Sequence, residues 1–519
     1  MLDRLFGFKI HDYLQALGLF ILAFGVSMNK VLMSIGTIWL AANLLLKADF
    51  SGYWGKWKNN FVFWFTVLVL VLHLIGLTYT EDLSYAFRDL NTKLPLFVIP
   101  VALIGYPIQS RFFNIILYGF LTSLLITSVI NGVFMMNNEA EDYRDFSLFG
   151  SHIRYSLLIV TGILVAVYLW TINKKLWFLY LILISWFLYY TLTSLVFSGY
   201  IALVFLFFGF FIFIIRNQKS VWLRRLTILF SISLITLGSL QLYNYFLPKT
   251  EALVFGDLPN NTINGDTYYH DTTALWFENG HHIMSYIAGN ELISAWGERS
   301  NLDLQTEVEK GYTLKDVLIR YMTSKGLTKD KEGMLQMTDQ DIKNVENGIP
   351  SVIYNYGMVK RKILELKSEV FHYTIGGDPD GNSLLQRLEH WKVGKEIIEQ
   401  NWLFGIGSGD IQLAFDEQYK QSNTQLDIEN WNRSHNQFMT FWITFGIVGF
   451  ILFTGFWFWF LGKNIRLNNL LGIGFTLIAI ASFLSEDTIE TQQGVTYIAL
   501  FLGLTSMMNR PSFSEEIHN

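Results

Sequence analysis

Long unbroken runs of apolar residues, rather than alternating or helical-period patterns, constrain this chain more than anything else in it. A run of roughly 20 apolar residues crosses the hydrocarbon core of a bilayer as a helix. Lipid leaves a spanning backbone few other ways to satisfy its N–H and C=O groups. Such runs stand at 12–29, 31–46, 61–79, 94–107, 112–136, 155–172, 176–193, 195–215, 226–247, 435–461, 468–485 and 493–509. The expected fold is therefore an all-α polytopic membrane protein of about twelve transmembrane helices. The second and fourth runs are short and are open to tilting, breakage or re-entry. The first run is expected to be a retained anchor, because no small-residue cleavage site follows a short apolar core. The chain has no cysteine, which excludes disulfides and thiolate metal sites. A net charge of −5 gives no sign of a nucleic-acid partner.

The charges of the short loops fall into two sets. Arg4, Lys9, Lys47, Lys56, Lys58, Arg111, Lys174, Lys175, Arg216, Lys219, Arg224, Arg225, Lys463, Arg466 and Arg510 share one side. The other side holds Lys30, Arg88, Lys93, Arg144 and Arg154, together with Glu81, Asp82, Asp89, Glu139, Glu141, Asp142, Asp145, Glu486, Asp487 and Glu490. The Lys/Arg excess marks the cytoplasmic face, so both termini are expected there. Three regions result: an N-terminal bundle over 1–247, an external loop domain over 248–434 and C-terminal spans with a tail over 435–519. Within the loop domain, 312–326 and 358–373 read as amphipathic helices, and 376–383 as a turn. A helix follows in which Leu384, Leu388, Trp391 and Ile398 share a face flanked by Arg387 and His390. The whole is expected to be a mainly helical cap rather than a separate soluble module. The stretch 249–310 shows no usable periodicity.

Several short patterns occur in a fixed order: Ser383, Arg387 and Trp391 at four-residue spacing, then Leu403–Gly409 (LFGIGSG), Ser434–Asn436 (SHN) at a span entrance, and Phe445–Gly449 (FGIVG) within that span. This resembles the O-antigen ligase family, whose domain is shared with O-antigen polymerases and protein O-oligosaccharyltransferases. LTYTEDLSYAFRDLNTKLPLFVIP (77–100) resembles the family's loop before the fourth span. SHIRYSLLI (151–159) and EDTIETQQGVTYIALF (486–501) are similar to it as well, and 312–332 resembles Bacteroidetes members. The resemblance implies a GT-C-like membrane glycosyltransferase, inverting and independent of metal or other cofactor. Its donor is a glycan on undecaprenyl pyrophosphate at the periplasmic leaflet of the inner membrane. Its acceptor is lipid A-core, another glycan or a protein.

Such a reaction asks the protein to neutralise a diphosphate leaving group, which guanidinium does through paired charge-assisted hydrogen bonds. Arg387 matches the family's external-loop arginine; the bland alternative is a surface arginine on an amphipathic helix. His435 suits removal of the acceptor proton, or orientation of the hydroxyl, against the alternative of a polar residue at a span end. Asn436 is expected to fix the histidine or a sugar hydroxyl. Arg433 is a second phosphate contact or an interfacial anchor. The family carries an arginine in a Ser-Arg-Gly-like sequence where this chain has LVFSGY (195–200), and Arg154 and Arg88 are candidate replacements. Glu486, Asp487 and Glu490 either bind acceptor sugar, pair with Arg387 or are solvated. Gly405, Gly407 and Gly409 read as a tight turn returning the chain to the membrane, and His73 as an interhelical hydrogen-bonder. No metal-ligand spacing is present.

Three readings compete. Transfer of a lipid-linked glycan leads, with ligase ahead of polymerase. A transporter of lipid-linked sugars would call for internal repeats and midplane charges, which the sequence does not display. A passive sensor would leave Arg387 and His435 dispensable.

Overall fold

The structure, a computed structural model, describes residues 10–137, 147–194, 196–246, 258–274, 276–309, 311–375, 379–380, 383–422, 424 and 426–509. Arg4, Lys9, Glu139, Glu141, Asp142, Arg144, Asp145, Arg510 and most of the 376–383 turn lie outside these residues. The described chain divides into two compact units: residues 1–230, 389–424 and 431–519, and residues 231–388 with 425–430.

The first unit is all helix. In chain order it begins α1 (Ile10–Gly25), α2 (Lys30–Lys47), α3 (Phe50–Trp57), α4 (Phe61–Gly76), α5 (Leu83–Gly105), α6 (Ser110–Asn137), α7 (His152–Ile172), α8 (Trp177–Thr193) and α9 (Phe197–Asn217). Helix α10 (Val221–Phe246) leads into the second unit. Polar side chains start several of these helices by accepting an otherwise unpaired N–H of the first turn. Asn29 accepts from Leu32 N at 3.0 Å, Asn60 from Val62 N at 2.9 Å and Asp82 from Tyr85 N at 2.8 Å. Among the described residues six helices are long and apolar enough to cross a membrane, or seven if the bent pair α3–α4 is one span. The chain is thus a multi-pass helical membrane protein, and a helix occupies each of the twelve apolar runs.

Helix α5 departs from the sequence reading. Its apolar run was bounded at 94, yet the helix starts at Leu83, because the Asp82 cap and the buried positions Ala86, Asp89, Lys93 and Leu96 extend one face through polar sequence. The sequence assigns that polar half to a loop; burying its charges requires partners.

The second unit contains the hairpin β1 (Phe277–Glu278) and β2 (His281–His282), then α11 (Gly289–Gly297). A second hairpin pairs β3 (Glu307–Glu309) with β4 (Tyr312–Thr313), and α12 (Leu314–Ser324), α13 (Lys331–Leu335), α14 (Asp339–Glu346) and α15 (Met358–Thr374) follow. Leu292, Trp296, Leu314, Leu318, Tyr321, Met322, Met334 and Val345 close a hydrophobic core belonging to this unit. The mainly helical cap expected here therefore contains a packed core and two hairpins, which fall in or beside the stretch without readable periodicity.

Helix α16 (Ser383–Asn401) returns the chain to the first unit, which ends with α17 (Ile411–Gln421), α18 (Gln437–Arg466), α19 (Leu470–Ser485) and α20 (Gln492–Met508). The most buried line of α16 is Leu385, Glu389, Val393 and Ile397, one position away from the face read from sequence. Helices α19 and α20 are buried almost throughout, which explains why they are apolar all round.

Helix α18 is broken at Gly446 (φ 64°, ψ −161°), a conformation essentially confined to glycine. The break removes backbone hydrogen bonds within an apolar span, where leaving them unmade is costly. The glycine-rich loop replaces them: Ile406 N donates to Ile443 O (2.9 Å), Gly407 N to Thr444 O (3.1 Å) and Ile447 N to Trp402 O (2.9 Å). A Cβ on Gly446 would lie 2.1 Å from Leu403 O, and one on Gly405 2.5 Å from the Thr444 carbonyl. The two glycine patterns are thus halves of one joint. Replacing Gly446 with Ala should lower stability by about 1–3 kcal/mol or more, read as the melting temperature of detergent-purified protein. Gly455→Ala, on the same helix with open space around it, should be neutral or slightly stabilising, since helical glycine costs about 0.5–1 kcal/mol against alanine.

Candidate functional site

Ser434, His435 and Asn436 make the entrance to α18. Ser434 is fully buried, and its carbonyl accepts from Trp391 Nε1 at 2.8 Å. His435 follows in the left-handed region (φ 47°), an uncommon state for a residue with a side chain. Its Nδ1 lies 3.2 Å from Glu486 Oε2, and its ring is 5.5 Å from that of His390. The imidazole is 33% exposed and the Glu486 side chain 3%. Asn436 is the N-cap: Oδ1 accepts from Phe438 N (3.1 Å) and Met439 N (3.2 Å), and Nδ2 donates to Leu484 O (3.4 Å). Its amide therefore serves the helix end rather than His435.

The first turn of α18 also holds the 486–490 loop. Gln437 accepts from Ile489 N and donates to Glu490 Oε1, both at 2.9 Å, and Thr440 donates to Asp487 Oδ1 at 2.6 Å. All three acidic side chains are buried and hydrogen-bonded within the protein. This excludes the solvated alternative for Glu486, Asp487 and Glu490. Burial pushes Asp487 above its ordinary pKa, and Arg433 and His435 only partly offset it. Burial acts on Glu490 the same way, but Lys93 and Arg433 outweigh it and hold this carboxyl well below the usual range.

The cations come from the polar half of α5 and from the residues before α18. Lys93 Nζ is 2.5 Å from Asp89 Oδ1 and 2.9 Å from Glu490 Oε2. Asp89 Oδ2 in turn lies 3.6 Å from His73 Nε2, while His73 Nδ1 bonds Val69 O at 2.7 Å. Arg433 donates from one terminal nitrogen to Tyr85 Oη at 2.8 Å, and that nitrogen is 3.7 Å from Glu490 Oε2. Burial opposes the Arg433 charge, yet Glu490 and Asp487 raise its pKa above the ordinary value. Arg88, exposed, places its guanidinium 5.0 Å from the centre of the Tyr85 ring, which Arg433 approaches at 6.0 Å. His73, Tyr85, Asp89, Lys93, Ser408, Thr440 and Glu490 also line a cavity of about 10 Å³, room for a single water.

A second seam fixes these parts. Asp410 accepts from Glu81 N (3.0 and 2.9 Å) and Asp82 N (2.9 Å), Ser408 donates to His73 O (3.0 Å) and Gly409 N to Thr80 Oγ1 (2.8 Å). The loop that mends α18 thus also anchors the junction of α4 and α5.

The structure brings Arg433, His435, Glu486, Asp487, Glu490 and, through Tyr85, Arg88 into one neighbourhood. Arg154 is not among them: it stands on the first turn of α7, and among the described residues no ion pair or hydrogen bond joins it to this cluster. In LVFSGY, Tyr200 donates to Leu192 O at 2.9 Å, and Gly199 packs against Ser156. Arg387 is half-buried and belongs to the second unit, three residues ahead of His390 on α16. Sequence reasoning missed Tyr85, Asp89, Lys93, Gln437 and Asp410. The Asp89–Lys93 spacing on a helix was the available signal.

Residues 339–454 match the family described as O-Antigen ligase. This stretch is similar to an O-antigen ligase domain. No curated protein matches the chain. The O-antigen ligase domain includes Arg387, Trp391, the glycine-rich loop, Arg433, His435 and the broken half of α18, whereas Tyr85, Lys93 and the 486–490 loop lie outside it. Segments outside the matched residues thus contribute most of the ionic cluster: Arg88, Asp89 and Lys93 from α5, and Glu486, Asp487 and Glu490 from the loop before α20. Asp410→Ala should leave three backbone–carboxylate bonds unmade, lowering stability by about 1–3 kcal/mol. Limited proteolysis should then cut faster between 77 and 83.

Proposed function

We propose that the protein is a membrane glycosyltransferase that moves a glycan from a polyprenyl diphosphate, undecaprenyl pyrophosphate, to an acceptor hydroxyl. The observation that carries this reading is that His435 and Arg433, both within the matched residues 339–454, stand together with Glu486 from beyond them, His435 paired to its carboxylate. Glu486 accepts from Nδ1–H of His435 and leaves Nε2 as the base. The acceptor oxygen attacks the anomeric carbon from the face opposite the diphosphate, and the configuration inverts. The C–O bond to phosphate breaks, its electron pair leaves with the diphosphate, and Nε2 takes the hydroxyl proton. A positioned general base of this kind contributes about 10²–10⁴-fold.

Arg433 and Arg88 supply guanidinium groups for the diphosphate; Arg387, within the matched residues, is the further candidate by its motif alone. Asp487 and Glu490, already bonded to protein partners, balance the charge of Arg433 rather than holding acceptor sugar. No metal or other cofactor enters the scheme. The charge asymmetry of the short loops supports twelve crossings with both termini cytoplasmic and 248–434 on the outer side; the GT-C-like bundle and the bacterial inner membrane, which make that side periplasmic, follow from the family resemblance. Lipid A-core is the preferred acceptor, with chain extension by a polymerase or transfer to protein as the second reading.

The test is a deletion strain complemented with wild type, His435→Ala or Arg387→Ala, with surface polysaccharide and the undecaprenyl-linked pool both analysed. Ligase activity predicts long glycans stranded on undecaprenyl pyrophosphate, with transfer restored by wild type and reduced at least about 10²-fold in His435→Ala. Accumulation of single repeat units would assign a polymerase. Full complementation by both variants would overturn the catalytic assignment.

A further inference from the structure

Arg433 is held at one nitrogen only. Its bond to Tyr85 Oη is 2.8 Å, but its nearest carboxylate oxygen, Glu490 Oε2, stands off at 3.7 Å. Among the described residues, Nε and the second terminal nitrogen of Arg433 have no hydrogen-bond partner. The reason lies in Glu490, whose two oxygens are taken by others: Oε1 by Gln437 Nε2 and Oε2 by Lys93 Nζ, each at 2.9 Å. Lys93 is itself drawn into place by Asp89 at 2.5 Å, one helical turn away on α5.

An arginine beside a buried, unengaged carboxylate would ordinarily close into a two-pronged pair, the strongest geometry these groups have. Such a pair would consume the guanidinium edge that a diphosphate needs. We propose that Lys93 is a positioning residue which, together with Gln437, holds Glu490 away from Arg433 and so keeps one edge of Arg433 open for donor phosphate. The proposal rests on Arg433 being a phosphate contact, as in the function proposed above. Glu490 balances the two cations, and Lys93 decides how that balance is shared.

The test measures binding of farnesyl diphosphate, a short polyprenyl diphosphate probe, to the full-length protein in nanodiscs, with farnesyl monophosphate as the control. Arg433→Gln should weaken diphosphate binding by roughly tenfold or more. Lys93→Met should weaken it to a similar degree, because Glu490 then closes on Arg433. Lys93→Met combined with Glu490→Gln should recover to within about threefold of wild type, the coupling expected of neighbours in one network. Glu490→Gln alone should bind at least as tightly as wild type, and Lys93→Arg should stay near it. Wild-type affinity in Arg433→Gln would remove the phosphate role of Arg433 and this proposal with it. Weakened binding in Arg433→Gln with no rescue in the double variant, or with a loss in Glu490→Gln, would overturn the role of Lys93 alone. Should Lys93→Met fail to fold, Glu490→Gln and Lys93→Arg still decide.

Discussion

Backbone that leaves the helix inside an apolar span must find hydrogen-bond partners, and the rest of the site depends on how this chain finds them. At Gly446 the helix breaks, and residues 402–407 supply the missing donors and acceptors. Because that loop is bonded on its other side to the α4–α5 junction through Ser408, Gly409 and Asp410, repairing the break also fixes α5 against the entrance of α18. The charged half of α5 and the residues leading into α18 are thereby set at a defined separation.

That separation matters because the charges are buried. Taking an ion from water costs several kcal/mol unless partners compensate closely. Here compensation is shared: Lys93 serves two carboxylates, Glu490 serves Lys93, Gln437 and, at longer range, Arg433. No member can move far without stranding another. His435 sits at the exposed margin of this network, with Glu486 behind it. A rigid interior and a partly wet histidine are what a site needs if it is to present a base and a cation without rearranging them.

Much of this was legible in the sequence. The apolar runs located the helices, because a span of lipid admits little else, and Ser434–Asn436 and Arg433 stood out as polar groups at a span entrance. The order of the short motifs pointed to the O-antigen ligase domain. Other features were hidden for physical reasons. Lys93 and Asp89 read as ordinary loop charges, because the length of α5 depends on burial supplied by partners nearly four hundred residues away. The meaning of Gly405 and Gly446 lay in each other, a pairing that no local window contains. Asn436, expected to fix the histidine or a sugar hydroxyl, caps a helix, a role its position just before the apolar run equally allowed. The core around Leu318 and Tyr321 was half legible: the helix over 312–326 shows its period, whereas the short helices and hairpins that complete this unit have none that lasts.

The pairing of Lys93 with Glu490 spans 397 residues, so it also has a meaning in time. At about 5–20 residues per second of synthesis, the second partner emerges roughly 20–80 seconds after the first. Through that interval α5 carries a lysine and an aspartate at the edge of the bilayer with their long-range partners not yet made. Their spacing of four residues lets each neutralise the other on the same helix. The nascent chain thus has a provisional ion pair that shields it until the last hairpin arrives. Until then the ionic cluster around Glu490 is incomplete.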